Sequence, residues 1–303
     1  MRYYERKRTK NSRGYVFLIG TVICVAFFAL LMNLFAGSTA EARKTADPAG
    51  RLDSASGRLI PSDQRVTMAK VSVEEIYDTG FLRIVDTNHK LDSDQREAVS
   101  AFQVIPLSNK EIKVNAEALK ELEKMLASAK KDGVGDFVIT SGYRTADRQR
   151  ELYDAEPDSG LVAKPMASEH QTGLAVDFAT MTASRADFSG TRQGTWAAEN
   201  ARDFGFVLSY PEHSESVTGI RPEAWHYRYV GLPHSLVIAQ KGITLNEYID
   251  RLEPEVLYTV DGRQGSWQVY RTFPKDGELL IPKKHSTLSA DGEGGYVVTI
   301  KVS

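Results

Sequence analysis

The sequence predicts a mixed α+β domain over residues 66–252, with one apolar span ahead of it and a small β-rich appendage behind. Three observations carry that prediction. Helical and strand periodicities both occur between Val66 and Leu252. Residues 15–36 carry no charge. After Pro254 the stretches 256–260, 267–273 and 296–302 alternate and are rich in β-formers, separated by Asp-Gly and Gly-Gly turns.

Residues 1–14 form a basic tail, with Arg2, Arg6, Lys7, Arg8, Lys10 and Arg13 set against Glu5 alone, a sum of +5. The apolar segment 15–36 is 22 residues long, enough at ~1.5 Å per helical residue to cross a ~30 Å hydrocarbon core. A basic flank stays in the cytoplasm, so the sequence predicts a single-pass anchor in the cell membrane with everything after Ala36 extracytoplasmic. The segment is longer than the ~7–15 apolar residues of a cleaved signal peptide, although Gly37-Ser38-Thr39-Ala40 leaves cleavage open. Residues 37–65 are rich in Ala, Gly, Ser, Asp and Arg without periodicity and read as a flexible linker.

Within residues 66–252, Asn115 is placed to cap a helix with Ala118, Leu122, Met125, Leu126 and Ala129 on one face, stopped by Gly133. A short buried strand, 137–140, delivers Ser141-Gly142-Tyr143-Arg144 at its end. Helices are expected over 146–154 and 195–204, and Thr244-Leu245-Asn246-Glu247 is a capping box opening another. Residues 253–303 are the β-rich appendage.

Charge and cysteine narrow the chemistry. With a formal net charge of −2 overall and +5 in the tail, residues 37–303 carry −7, which argues against nucleic acid as a partner. The one cysteine, Cys24, lies in the apolar span, so the outer part has neither a disulfide nor a thiol nucleophile.

Candidate site residues cluster in three stretches. As a strand, Gly173–Phe178 sends Leu174, Val176 and Phe178 to one face and Asp177 to the other, beside only Gly173 and Ala175. That leaves room for an ion near a carboxylate that is costly to bury alone. His170 lies just upstream. In the third stretch, alternation over Trp225–Val230 groups the aromatics and puts His226 with Arg228 on the opposite face, with Glu223 three residues before His226. Arg144 ends the first stretch. Singly these are weak signals, since Glu-x-x-His and a lone arginine are ordinary surface features. Jointly they supply two imidazoles, two carboxylates and a guanidinium, the inventory of a catalytic zinc site with an open position. His89, His213, His234 and His285 have no partner at ligand-like spacing, and His213, in the loop before Glu223, is the reserve candidate.

These stretches, together with Gln149, Ser168 and the run to Gly231, closely resemble the VanY-type D-alanyl-D-alanine carboxypeptidases over roughly residues 80–250. The resemblance implies a compact α+β zinc domain with a small antiparallel sheet, of the Hedgehog/DD-peptidase architecture. It makes His170, Asp177 and His226 the ligands of one catalytic zinc ion and Glu223 the general base. It makes Arg144 the stabiliser of the oxyanion, and Ser168 and Gln149 substrate-binding residues lining the pocket. Two positions depart from the pattern. Ala224 stands where proline is common, and Ser209 where many relatives carry arginine, so a charged contact to the peptide stem is expected to be missing.

The function implied is removal of the C-terminal D-alanine from peptidoglycan pentapeptide stems or their lipid-linked precursors. An L,D-carboxypeptidase acting on tetrapeptide stems uses the same chemistry in the same place. A non-catalytic wall-binding domain retaining zinc is the third reading, and an intact Glu223 and Arg144 speak against it.

Overall fold

The computed structural model describes residues 57–93, 102–104 and 111–303. The expected anchor at 15–36 and most of the expected linker lie outside these residues. No helix among the described residues is long and apolar enough to cross a membrane.

The strands run β1 (Ile60–Pro61), β2 (Met68–Ser72), β3 (Phe102–Val104), β4 (Lys113–Asn115), β5 (Phe137–Ser141), β6 (Ala175–Thr180), β7 (Phe206–Leu208), β8 (His226–Tyr229), β9 (Leu257–Gly262), β10 (Gly265–Thr272), β11 (Glu278–Pro282), β12 (Thr287–Ala290) and β13 (Tyr296–Lys301). The helices are α1 (Ala116–Lys131), α2 (Ala146–Ala155), α3 (Arg192–Asn200), the single turn α4 (Glu215–Thr218), α5 (His234–Lys241) and α6 (Leu245–Asp250).

The helix boundaries follow from local chemistry. The Asn115 side chain accepts from the backbone N–H groups of Glu117 and Ala118 at the start of α1, and Gly133 takes the left-handed φ of 73° just past its end. The Thr244–Glu247 capping box is formed at α6. The helix expected over 195–204 starts earlier, at Arg192, because the Thr191 hydroxyl caps it, and it finishes as a 3-10 turn, Ala201–Phe204.

The sheet that carries the site has four antiparallel strands in the order β5-β6-β8-β7. Val176, Phe178, Tyr227 and Tyr229 project from one face into a core completed by Leu122, Met125 and Ala129 of α1 and Trp196 of α3. The alternation read from the sequence therefore holds, and it leaves Asp177, His226 and Arg228 on the other face.

The C-terminal strands form a five-stranded antiparallel sheet, β1-β9-β10-β13-β12, while β11 pairs with β2. Here the expected boundaries at 65/66 and 252/253 do not separate structural units. Residues 60–72, read as the end of the linker and the start of the catalytic domain, supply two strands to the C-terminal part. Val237, Ile238, Tyr248 and Ile249 of α5 and α6 share a core with Tyr258, Val260, Val269 and Val297. The described residues form one compact unit.

Candidate metal centre and active site

Sheet register builds the site. Asp177 on β6 is paired with Ser141 on β5 and with His226 on β8, so these three residues form a row across three strands. Such cross-strand pairs put their side chains ~5 Å apart on one face. The register shifts between Ile139 and Ser141, an irregularity of the kind that re-aims a strand end. Beyond it the chain turns at Gly142, where a Cβ would lie 2.5 Å from the Lys113 carbonyl oxygen and 2.6 Å from Ile112 Cγ2. Only glycine fits there.

His170 arrives from a separate element, the 3-10 turn Glu169–Thr172, which Gly173 ends with a φ of 72°. Two bonds tie that turn to the β5 end: Arg144 N–H donates to the His170 carbonyl at 3.0 Å, and His170 Nδ1 lies 2.8 Å from the Gly142 carbonyl. A carbonyl can only accept, so Nδ1 carries the proton and Nε2 turns its lone pair toward Asp177 Oδ1, 3.3 Å away.

His226 is held in the complementary way. Its Nε2 lies 2.9 Å from Glu169 Oε2 and its Nδ1 lies 3.1 Å from Asp177 Oδ1. Glu169 is buried and also accepts from Arg228 Nη1 at 3.1 Å and from the Ser209 hydroxyl at 2.6 Å. Burial alone would raise its pKa, but Arg228, His226 and Ser209 together hold the carboxyl down at about 2. Glu169 is therefore a fixed anion that orients the ring behind the site. Sequence reasoning assigned it no role. The signal was Arg228 sharing the His226 face of a buried strand, which required a buried acid.

His170, Asp177 and His226 are buried, and each offers one ligand atom, all within 4.8 Å of one another. Donors ~2.0–2.1 Å from a tetrahedral ion stand ~3.3 Å apart, close to the 3.1 and 3.3 Å observed about Asp177 Oδ1. Each imidazole has its far nitrogen engaged by an outer acceptor, which is how metal-ligating histidines are commonly oriented. Protonation follows the same logic. Burial and the Arg144 charge hold His170 down at about 4, against the pull of Asp177. Despite burial, the carboxylates of Asp177 and Glu169 push His226 up to about 10, which displays the attraction of this pocket for a cation. Asp177 itself is kept well below the usual carboxylate range by the two histidines, which outweigh its burial. The donor set fits a single zinc ion.

Glu223 stands beside this group, its Oε2 3.6 Å from His226 Nδ1. Burial lifts its pKa to about 7, with Asp177 adding to the rise and His226, Arg185 and Arg144 opposing it. Arg144 reaches the same cleft, its Nη1 donating to Gln149 Oε1 at 2.7 Å and its Nη2 to the Ser141 hydroxyl at 3.0 Å. The cleft, of about 130 Å³, is lined by Arg144, Ser168, Tyr210, Glu223 and the three metal-binding candidates.

One expectation needs correction. Gln149 does not line this cleft. It is fully buried, its Oε1 taken by Arg144 and its Nε2 donating to the Ala163 carbonyl at 2.6 Å, so it braces the guanidinium from behind. Ser209, at the other departing position, turns its hydroxyl inward to Glu169 at 2.6 Å. Of the remaining histidines, His213 is exposed, His89 pairs with Asp86 at 2.9 Å, and His234 is buried between Tyr248 and Thr299.

Comparison with known proteins agrees with this geometry. The family model described as D-alanyl-D-alanine carboxypeptidase (VanY) matches residues 111–232, which hold every residue of the site. A bifunctional D-Ala-D-Ala dipeptidase and carboxypeptidase, VanXYC of Enterococcus gallinarum, is 33% identical over 58% of this chain and 96% of its own length. The chain belongs to the VanY-type D-alanyl-D-alanine carboxypeptidase family. Another relative, the D-alanyl-D-alanine carboxypeptidase of Enterococcus faecium, is 34% identical over 64% of this chain, and the match spans 63% of that protein's length. Among solved structures, the D,D-dipeptidase VanXYg in complex with a D-Ala-D-Ala phosphinate analogue superposes with a TM-score of 0.67 at 30% identity, covering 79% of this chain and all of that one. The LD-carboxypeptidase LdcB superposes with a TM-score of 0.52 at 31% identity over 57% of this chain and 87% of that one.

Proposed function

We propose that this protein is a zinc carboxypeptidase that removes the C-terminal D-alanine from peptidoglycan pentapeptide stems or their precursors. Residues 15–36 would hold it in the membrane with its active site facing outward. The observation that carries the reading is the pairing of a buried Glu223 with Arg144 in one cleft beside the His170–Asp177–His226 group. A domain that only bound wall material would have no need of a proton acceptor beside the metal group.

The group would hold zinc through His170 Nε2, His226 Nδ1 and an Asp177 oxygen, and the ion supplies Lewis-acid chemistry at the scissile carbonyl. The protein's own residues do the rest. Glu223 Oε2 takes a proton from the attacking water and returns it to the departing amine. Arg144, fixed by Gln149 and Ser141, faces the negative charge that develops on the carbonyl oxygen, a type of contribution typically worth ~3–4 kcal/mol. Glu169 keeps His226 in the tautomer that points Nδ1 into the site.

The test compares zinc-loaded wild type with Glu223→Ala on muropeptides. Wild type is expected to release one alanine from pentapeptide stems, and the variant to keep one zinc per chain with no hydrolysis. A variant as active as wild type would sink the enzyme reading. The likeness to LdcB favours a second reading, L,D-cleavage of tetrapeptide stems, and wild-type turnover of tetrapeptide alone would establish it in place of the first.

A further inference from the structure

Behind the metal centre runs a chain of hydrogen bonds that begins in the C-terminal sheet. Arg228, on β8 with His226, is fully buried, and Glu169 engages only one of its terminal nitrogens. The other, Nη2, donates to the backbone carbonyls of Phe81 at 3.3 Å and Arg83 at 2.8 Å. Both carbonyls lie in the segment 78–86, which is neither helix nor strand. A segment without a ladder of its own takes its orientation from the bonds its neighbours make to it.

Those bonds come from the end of β12. Leu82 N–H donates to the Ser289 hydroxyl at 2.9 Å, and Ile84 N–H donates to the Asp291 carbonyl at 2.9 Å. Thr79 N–H donates to the Leu288 carbonyl at 3.0 Å, and Ala290 N–H returns a bond to Asp78 Oδ1 at 2.9 Å. The Phe81 carbonyl and the Leu82 N–H belong to one peptide plane, the Arg83 carbonyl and the Ile84 N–H to another. Both peptides are trans, so the two groups of each plane point in opposite directions. Each plane therefore faces the C-terminal sheet with its N–H and Arg228 with its oxygen, and turning one end turns the other. The acceptors are fixed in turn. Buried Asp291 accepts from Arg271 Nε at 2.8 Å and from the N–H groups of Glu293 and Gly295. At Gly292 the turn approaches so closely that a Cβ would lie 2.8 Å from the Ile84 oxygen.

We propose that the end of β12, from Ser289 to Gly292, positions Arg228 and, through Glu169, the metal ligand His226. The two peptide planes are the levers. If Leu82 loses its acceptor or Ile84 is displaced, the carbonyls swing off Nη2, the guanidinium is freed on that side, and the carboxylate behind His226 loosens. The C-terminal sheet thus sets the geometry of a ligand on another sheet, in addition to sharing a core with α5 and α6. The coupling acts on metal binding, so it holds whichever stem is cut.

The test uses the full chain. Zinc affinity is read by competition with a chromophoric chelator, ligand geometry from the visible bands of the cobalt(II)-substituted protein, and stability from denaturation midpoints. Ser289→Ala removes the acceptor of Leu82, and Gly292→Ala pushes Ile84 aside. Each is expected to raise the zinc dissociation constant roughly 2–30-fold, the span of couplings carried through packed networks, and to shift the cobalt bands. Leu279→Ala is the control, a buried residue of β11 in a separate cluster of the C-terminal part. It should lower stability and leave zinc affinity and the cobalt bands unchanged. A double-mutant cycle then traces the route: once Glu169→Gln has cut the link, Ser289→Ala should weaken zinc binding by less than about twofold more. The proposal is overturned if Ser289→Ala and Gly292→Ala bind zinc like wild type, if Leu279→Ala weakens binding as much as they do, or if the Ser289→Ala and Glu169→Gln losses add in full. Failure of the carboxypeptidase reading looks different: every stem peptide would stay intact while these metal affinities kept their order.

Discussion

At the scale of single residues, the site is a balance of buried charges in which Glu169 has two tasks. It orients His226 through Nε2 and it neutralises Arg228, a fully buried side chain. Glu169→Gln keeps the shape and removes the charge. Metal affinity is then expected to fall ~10–100-fold, as when a ligand histidine loses its outer partner, read by competition with a chromophoric chelator. The same variant leaves Arg228 charged without its acid, which costs ~3–5 kcal/mol of stability, read from the denaturation midpoint. Zinc affinity unchanged in a folded Glu169→Gln protein would contradict the orienting role. The ligands were legible in the sequence because a histidine and an aspartate at these spacings match a motif. Glu169 was not, because its partners Ser209, His226 and Arg228 lie 40–59 residues away in the chain.

At the scale of elements, the end of β5 does the most positioning, since Gly142 and Arg144 both bond the turn that carries His170. Gly142→Ala would drive a Cβ against the Lys113 carbonyl and Ile112. The backbone must shift, carrying the Gly142 carbonyl away from His170 Nδ1. The expected outcome is a loss of ~1–3 kcal/mol, the usual range for overpacking, together with a fall in kcat/KM of more than tenfold. Asn115→Ala is the control, a cap removal costing ~1 kcal/mol with zinc content and kcat unchanged; a matching activity loss there would discount Gly142. Periodicity and capping made α1, α2, β5, β6 and β8 readable, since their signals lie within a few residues. The short strands β1, β2, β11 and β12 were missed. Their stability comes from pairing across the chain, as between Met68–Ser72 and Glu278–Pro282, and little in the local sequence marks them.

At the scale of the whole molecule, the C-terminal strands are part of the folding unit that carries the site. Ending the chain after Leu252 would remove Tyr258, Val260, Val269 and Val297 from a core they share with α5 and α6. At ~1.5–3 kcal/mol per buried side chain, that exceeds the ~5–15 kcal/mol by which domains are usually stable once the paired strands are lost as well. The truncated chain is expected to be insoluble, and a soluble, zinc-binding product would refute the shared core. His234 gives a finer test of the same junction. It bridges Tyr248 OH at 2.7 Å on α6 and Thr299 Oγ1 at 2.8 Å on β13, and burial holds its pKa down at about 3. A histidine whose folded pKa is depressed contributes stability that is complete above its unfolded value near 6.5 and is lost as pH falls toward about 3. Between pH 7.5 and 5 this one group accounts for a loss of about 2 kcal/mol, at ~1.4 kcal/mol per pH unit below 6.5. His234→Gln removes the titration, so in chelator-treated protein the variant should gain about that much on wild type across the interval, whatever it loses at pH 7.5. Denaturation curves at the two pH values decide it: parallel losses in both proteins would mean that His234 does not stay neutral at the junction.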